Sequence, residues 1–140
     1  MIHEPTYSTE AGSLLLAGEL QLIRTYDEAV RRFSGSTYQS LLITILRDHE
    51  TSAEDLRDFV DYSGKAFVDQ IPPPGIVVRN GATLDIHALE KLLEGERKAI
   101  VDYANVSADE RIAVSLRSCV RETLIPRIEN HIAVLGIIMP

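Results

Sequence analysis

Leu16-Ala17-Gly18-Glu19, running on to Ile23 and Tyr26, returns later in the chain as Leu93-Glu94-Gly95-Glu96, running on to Ile100 and Tyr103. Each copy is followed by an apolar stretch carrying Leu-Ile and then a histidine. These are Leu42, Ile43 and His49 after the first copy, and Leu124, Ile125 and His131 after the second. Within each copy the glutamate and tyrosine stand two helical turns apart on one face. The pattern is that of one helix pair used twice, with a glutamate, a tyrosine and a histidine at related places in each half.

Residues 9 to 33 read as the first helix, with positions 15, 19, 22, 23, 26 and 30 on one stripe at a period near 3.6. Ser8 or Thr9 can cap its start, and Arg31 and Arg32 suit the negative end of its dipole. Ser34-Gly35-Ser36 is a turn, and Ser36 with Gln39 forms a capping-box pair for a second helix. The inward stripe of that helix is 42, 45, 46, 49, 53, 56 and 60, with Gly64 as its C′ residue. Asp48, Glu54, Asp58 and Asp61 give it a solvated outer face.

From 71 to 84 the chain carries Pro72-Pro73-Pro74-Gly75, then Ile76-Val77-Val78 and the turn pair Asn80-Gly81, which excludes helix. A third helix is predicted from Thr83 or Asp85 to Asn105, with 89, 92, 96, 99, 100 and 103 inward. Ser107 and Glu110 form a second capping-box pair, opening a fourth helix with stripe 116, 120, 124, 128, 131, 135 and 138 and a kink at Pro126. The predicted fold is all-α: a four-helix bundle in one domain spanning 1–140, its two helix pairs joined by a long crossover loop at about 71–84.

Composition narrows the functional classes. The 140 residues carry 14 Lys and Arg against 21 Asp and Glu, a net charge of −7. With no basic block, a nucleic-acid partner or an anionic membrane surface is not expected. Cys119 is the single cysteine, so neither an internal disulfide nor a cysteine metal motif is available, and a reducing cytoplasm is the expected compartment. Leu14-Leu15-Leu16-Ala17 is too short for a signal-peptide core and follows Glu4 and Glu10. No apolar stretch approaches the ~18 residues of a membrane span.

Each half points a carboxylate, a phenol and an imidazole toward the core. A buried carboxylate needs a hydrogen-bond partner, a cation or a proton. Two accounts meet that need. Glu19, His49, Glu96 and His131 converge on one divalent ion, for which carboxylate and neutral imidazole suit iron, zinc or manganese. Alternatively, Glu–His and Glu–Tyr pairs satisfy one another as a metal-free polar layer of a scaffold or interaction module.

These residues resemble the ferritin-like superfamily. Its di-iron members place one Glu on each of helices one and three and a Glu-x-x-His on each of helices two and four. Glu19 and Glu96 match the lone glutamates, and His49 and His131 match the histidines. The Gly-Glu…Tyr pattern and Leu124-Ile125-Pro126-Arg127-Ile128-Glu129-Asn130-His131-Ile132 are similar, more narrowly, to an uncharacterised bacterial ferritin-like family, a domain of unknown function. Nearly the whole chain takes part. The resemblance implies a ferritin-like four-helix bundle with its long crossover.

The chain departs from the di-iron pattern where it matters chemically. Leu46 stands three residues before His49 and Ile128 three before His131, so the bridging carboxylates are missing. Asp48 and Glu50 lie about 100° around the helix from His49, and Glu129 about 200° from His131, so none replaces them. The expected site is one divalent metal held without ferroxidase or oxygen-activating chemistry, with Tyr26 and Tyr103 behind the ligands. No enzymatic activity is read from it.

The level of His131 is left open by counting. Glu96 is close to a turn near residue 107 and His131 far from it, an offset of roughly 20 Å along straight helices. Either the segment 105 to 116 is not straight helix, or His131 misses the site and Ser115 and Cys119 face Glu96 instead. Gly18 and Gly95 cost about 1 kcal/mol each inside helices and mark either a close helix approach or tolerated surface glycines. Cys119 reads as an inert, partly buried thiol, and His87 as exposed. Apolar Ile137-Ile138-Met139 packs beneath the crossover or against a second copy, and a homodimer or higher homo-oligomer is expected.

Overall fold

The computed structural model describes residues 4–60 and 86–138. These form four helices and, among the described residues, no strand. α1 is Glu4–Arg32, α2 is Gln39–Arg57 and α3 is Ile86–Ala108. The fourth, α4, is continuous but made in three pieces: Val114–Cys119, a π-helical turn Val120–Leu124, and Ile125–Ile138. The segment 71–84, Asp61, Gly64, Met139 and the predicted starts at Thr83 and Asp85 lie outside the described residues.

The helix ends differ in instructive ways from their sequence signals. α1 begins at Glu4, ahead of Ser8 and Thr9, so neither caps it. Ser8 instead accepts the Ala113 backbone N–H at 2.9 Å, closing the start of α4 across the bundle. The Ser36 and Gln39 pair is used, but from the turn: Tyr38 N–H donates to Ser36 Oγ at 3.3 Å and Gly35 N–H to Gln39 Oε1 at 3.0 Å. Gly35 takes φ +84°, the left-handed conformation that favours glycine.

Ser107 and Glu110 do not open the fourth helix. α3 runs through Ser107, whose hydroxyl bonds back to Ala104 O at 3.1 Å. The break comes later, where Asp109 Oδ1 accepts the Arg111 N–H at 3.0 Å and α4 starts at Val114. The competing local bond at Asp109 ends one helix where Ser107 alone does not.

The π-turn answers the spacing of the α4 stripe. Positions 116, 120, 124 and 128 are each four apart, and every such step overshoots a full turn by about 40°. Three steps would carry the stripe about 120° out of phase. The π-turn absorbs one extra residue through the Ile125 N–H to Val120 O bond, and Leu116, Val120, Leu124 and Ile128 all remain buried. The π-turn lies immediately before Pro126, the position at which the sequence predicts a kink.

Two apolar clusters fill the interior. One gathers Leu15, Leu16, Leu56, Leu116, Leu124 and Ile128; the other gathers Leu22, Phe33, Leu42, Ile45, Leu92 and Leu135. α1 and α4 run from the first cluster to the second, whereas α2 and α3 run from the second to the first. α1 is therefore antiparallel to both α2 and α3, and its pairing with α3 is fixed by Tyr26 to Glu96 and Tyr103 to Glu19. α4 closes the bundle against α3 and, through Arg127 to Asp55 at 2.8 Å, against α2.

Glycine packing is uneven. A Cβ on Gly95 would fall 2.8 Å from Leu22 Cδ2, whereas one on Gly18 would meet nothing within 4 Å. Close approach thus holds at Gly95 and open surface at Gly18. Both glycines line a shallow hollow of about 400 Å³ between α1 and α3, to which none of Glu19, His49, Glu96 and His131 contributes. Among the described residues, Gly12 makes the tightest backbone approach, with a Cβ there only 2.8 Å from Phe59 O.

Candidate metal centre

On every helix the predicted polar residue falls between the two apolar clusters. Glu19 lies between Leu16 and Leu22, His49 between Ile45 and Ala53, Glu96 between Leu93 and Tyr103, and His131 between Ile128 and Leu135. The four residues therefore share one level and are at most 1% exposed. The uncertainty over His131 is resolved in its favour. The segment 105 to 116 is not one straight helix, because residues 109 to 113 form a turn. His131 Nδ1 lies 3.2 Å from Glu96 Oε1, while Ser115 is exposed and Cys119 sits at the edge of the first apolar cluster.

His49 is the hub. Its Nδ1 lies 2.6 Å from Glu19 Oε1 and its Nε2 lies 2.7 Å from Glu96 Oε2. Tyr26 donates to Glu96 Oε2 at 2.6 Å, and Tyr103 donates to Glu19 Oε2. Each tyrosine thus serves the glutamate of the other half, so the sequence repeat becomes a reciprocal exchange across the α1/α3 seam. The imidazole rings of His49 and His131 lie 4.8 Å apart, centroid to centroid.

Asp48 completes the set, and its angular offset from His49 hid it from the sequence. The offset turns it away from the α2 inward stripe and toward α4. There its Oδ2 lies 2.8 Å from His131 Nε2, with the Asp48 side chain 39% exposed. The usable signal was the flank of α2 facing the partner helix, which cannot be assigned before the helix order around the bundle is known.

The electrostatics follow from burial and contact. Burial alone would lower the His49 pKa, but the carboxylates of Glu19 and Glu96 overcome it and raise it to about 10. Both ring nitrogens then act as donors. Burial would raise the Glu96 carboxyl, yet His131 and His49 bring it down to about 2. Tyr26 and Tyr103 are pushed well above the usual phenol range by burial and by the glutamates they face, so both stay neutral donors. Burial also raises the Cys119 thiol, with Asp55 adding to it, which disfavours the thiolate.

One ligand atom from each of His49, Glu96 and His131 lies within 4.8 Å of the other two. Glu19 stands outside this group, on the far nitrogen of His49. Two imidazoles and a carboxylate form a donor set suited to iron, zinc or manganese. No family model, curated protein or solved structure matches this chain.

Proposed function

We propose that this protein is a ferritin-like bundle that binds one divalent metal at His49, Glu96 and His131 without ferroxidase chemistry. The observation that carries this is the convergence of three donor residues from three helices within 4.8 Å at the buried centre of the bundle. The ferritin-like assignment draws support from helix direction. α2 ends beside one apolar cluster and α3 begins beside the other, so α2 and α3 run in the same direction, as the second and third helices of a ferritin-like bundle do. An ion bound there would supply a fixed positive charge between Glu96 and the two imidazoles. Leu46 and Ile128 stand where bridging carboxylates would be needed for a di-iron pair, which sets the limit on oxygen chemistry.

The test is elemental analysis of protein purified without chelator, followed by thermal melts. Stoichiometric iron, zinc or manganese is expected. Added metal at about 100 times its dissociation constant should stabilise by about 2.7 kcal/mol. Absence of stoichiometric metal, with melts indifferent to added ions, would refute the site.

A metal-free polar layer is the second reading, favoured by one observation. Both nitrogens of His49 already face carboxylate oxygens, so a proton can fill the role of the ion. Saturable metal binding abolished by His131→Ala would exclude it. The homo-oligomer expectation stays a proposal that rests on the α4 end, where Ile137 is 80% exposed beside the partly packed Ile138. Sedimentation equilibrium tests it.

A further inference from the structure

We infer that Glu19 and Asp48 are positioning residues rather than ligands, each fixing which nitrogen its histidine offers to a metal at the site proposed above. This rests on that site. The two histidines are arranged alike although their partners differ. His49 turns Nε2 toward Glu96 and Nδ1 toward Glu19, at 2.7 and 2.6 Å. His131 turns Nδ1 toward Glu96 and Nε2 toward Asp48, at 3.2 and 2.8 Å. In each ring one nitrogen therefore faces the shared carboxylate and the other faces a carboxylate of its own.

A metal-bound imidazole is neutral, with a lone pair on the ligating nitrogen and a proton on the other. A carboxylate against the second nitrogen selects that tautomer and orients the ring. Glu19 performs this for His49 and leaves Nε2 as the ligating atom. Asp48 performs it for His131 and leaves Nδ1. The two free nitrogens and the Glu96 carboxylate are then the atoms that face one another. Glu19 is itself held by the Tyr103 hydroxyl, so its orientation is set from α3. Asp48 has no such buried support and is 39% exposed. The two halves thus solve one problem with carboxylates from different helices, α1 for His49 and α2 for His131.

The experiment is cobalt(II) titration of the full chain, following affinity and the visible absorption spectrum together. Glu19→Gln and Asp48→Asn should each weaken binding about 10- to 100-fold while the spectrum at saturation keeps its wild-type shape. Asp48→Glu should recover most of the affinity, and Glu50→Gln, at an exposed neighbour, should bind as wild type. Because Asp48 is partly exposed, its variants test the idea even if Glu19→Gln fails to fold. Wild-type affinity in Asp48→Asn, or a saturated spectrum in either variant with the intensity of a different coordination number, would overturn the assignment while leaving the metal site standing. If wild-type protein binds no cobalt, zinc or manganese, the site and this assignment fall together.

Discussion

Tyr26 on α1 donates a 2.6 Å hydrogen bond to Glu96 on α3, while Tyr103 on α3 returns the same service to Glu19 on α1. The exchange sets the register of two antiparallel helices at the level where the polar layer crosses the core. A slip of one residue would swing all four side chains about 100° from their partners. Such a layer costs more to break than to leave out, because each carboxylate is buried and needs every donor it has.

Tyr26→Phe should therefore destabilise the protein by about 1–3 kcal/mol, since the buried Glu96 Oε2 loses one of its donors. Tyr103→Phe should cost a similar amount through Glu19. Urea denaturation checks both. A loss below the error of extrapolation would mean that the phenols serve as packing alone.

His49→Leu should be far more damaging. It removes the cation between two carboxylates that are at most 1% exposed, and breaking a buried charge pair in this way costs about 3–5 kcal/mol. Adding Glu19→Gln to His49→Leu should recover part of the loss by removing one uncompensated charge. Circular dichroism melts of the single and double variants compare the two.

Stability without metal should fall on both sides of a plateau. The folded pKa of His49 is raised to about 10, so its contribution is complete below the unfolded value near 6.5 and disappears as pH rises toward 10. The folded pKa of Glu96 is lowered to about 2, so its contribution is complete above the unfolded value near 4.5 and disappears as pH falls toward 2. Denaturation across pH in chelator should thus find its maximum at about pH 5–6 as far as this network is concerned. Metal affinity should move the other way and strengthen with pH from 6 to 8, because the ion must displace the His49 proton. Proton release on binding, measured in buffers of different ionisation enthalpy, checks the link.

The repeated glycines should part company. Gly18→Ala meets open space and should stabilise α1 by about 1 kcal/mol. Gly95→Ala gains the same helix propensity but must displace Leu22 Cδ2 from 2.8 Å, so its net effect should be smaller. Gly12→Ala should destabilise outright, because the obstructing atom is the Phe59 backbone oxygen. Melting temperatures should rank Gly18→Ala above Gly95→Ala above Gly12→Ala.

Much of this was written in one dimension. The period near 3.6 marked Leu15, Glu19, Leu22 and Tyr26 as one buried face of α1, and the same count found Leu116, Val120, Leu124, Ile128, His131 and Leu135 on α4. Local chemistry was a poorer guide to helix ends. Ser107 could have capped a helix but lies within one, and Ser8 caps a helix more than a hundred residues away. Capping signals state what a side chain can accept, and packing decides which N–H arrives.

The sequence by itself determined the four amphipathic helices, the burial of Glu19, His49, Glu96 and His131, and the apolar residues Leu46 and Ile128 three positions before the two histidines. Helical periodicity is a local property, and those residues lie on local stripes. Only the tertiary structure decided that His131 reaches the level of Glu96 through a turn at 109–113 and a π-turn at Val120–Leu124. It alone placed Glu19 behind His49 and brought Asp48 to His131. Those relationships depend on which helix lies beside which, a property of the whole bundle that no single helix encodes.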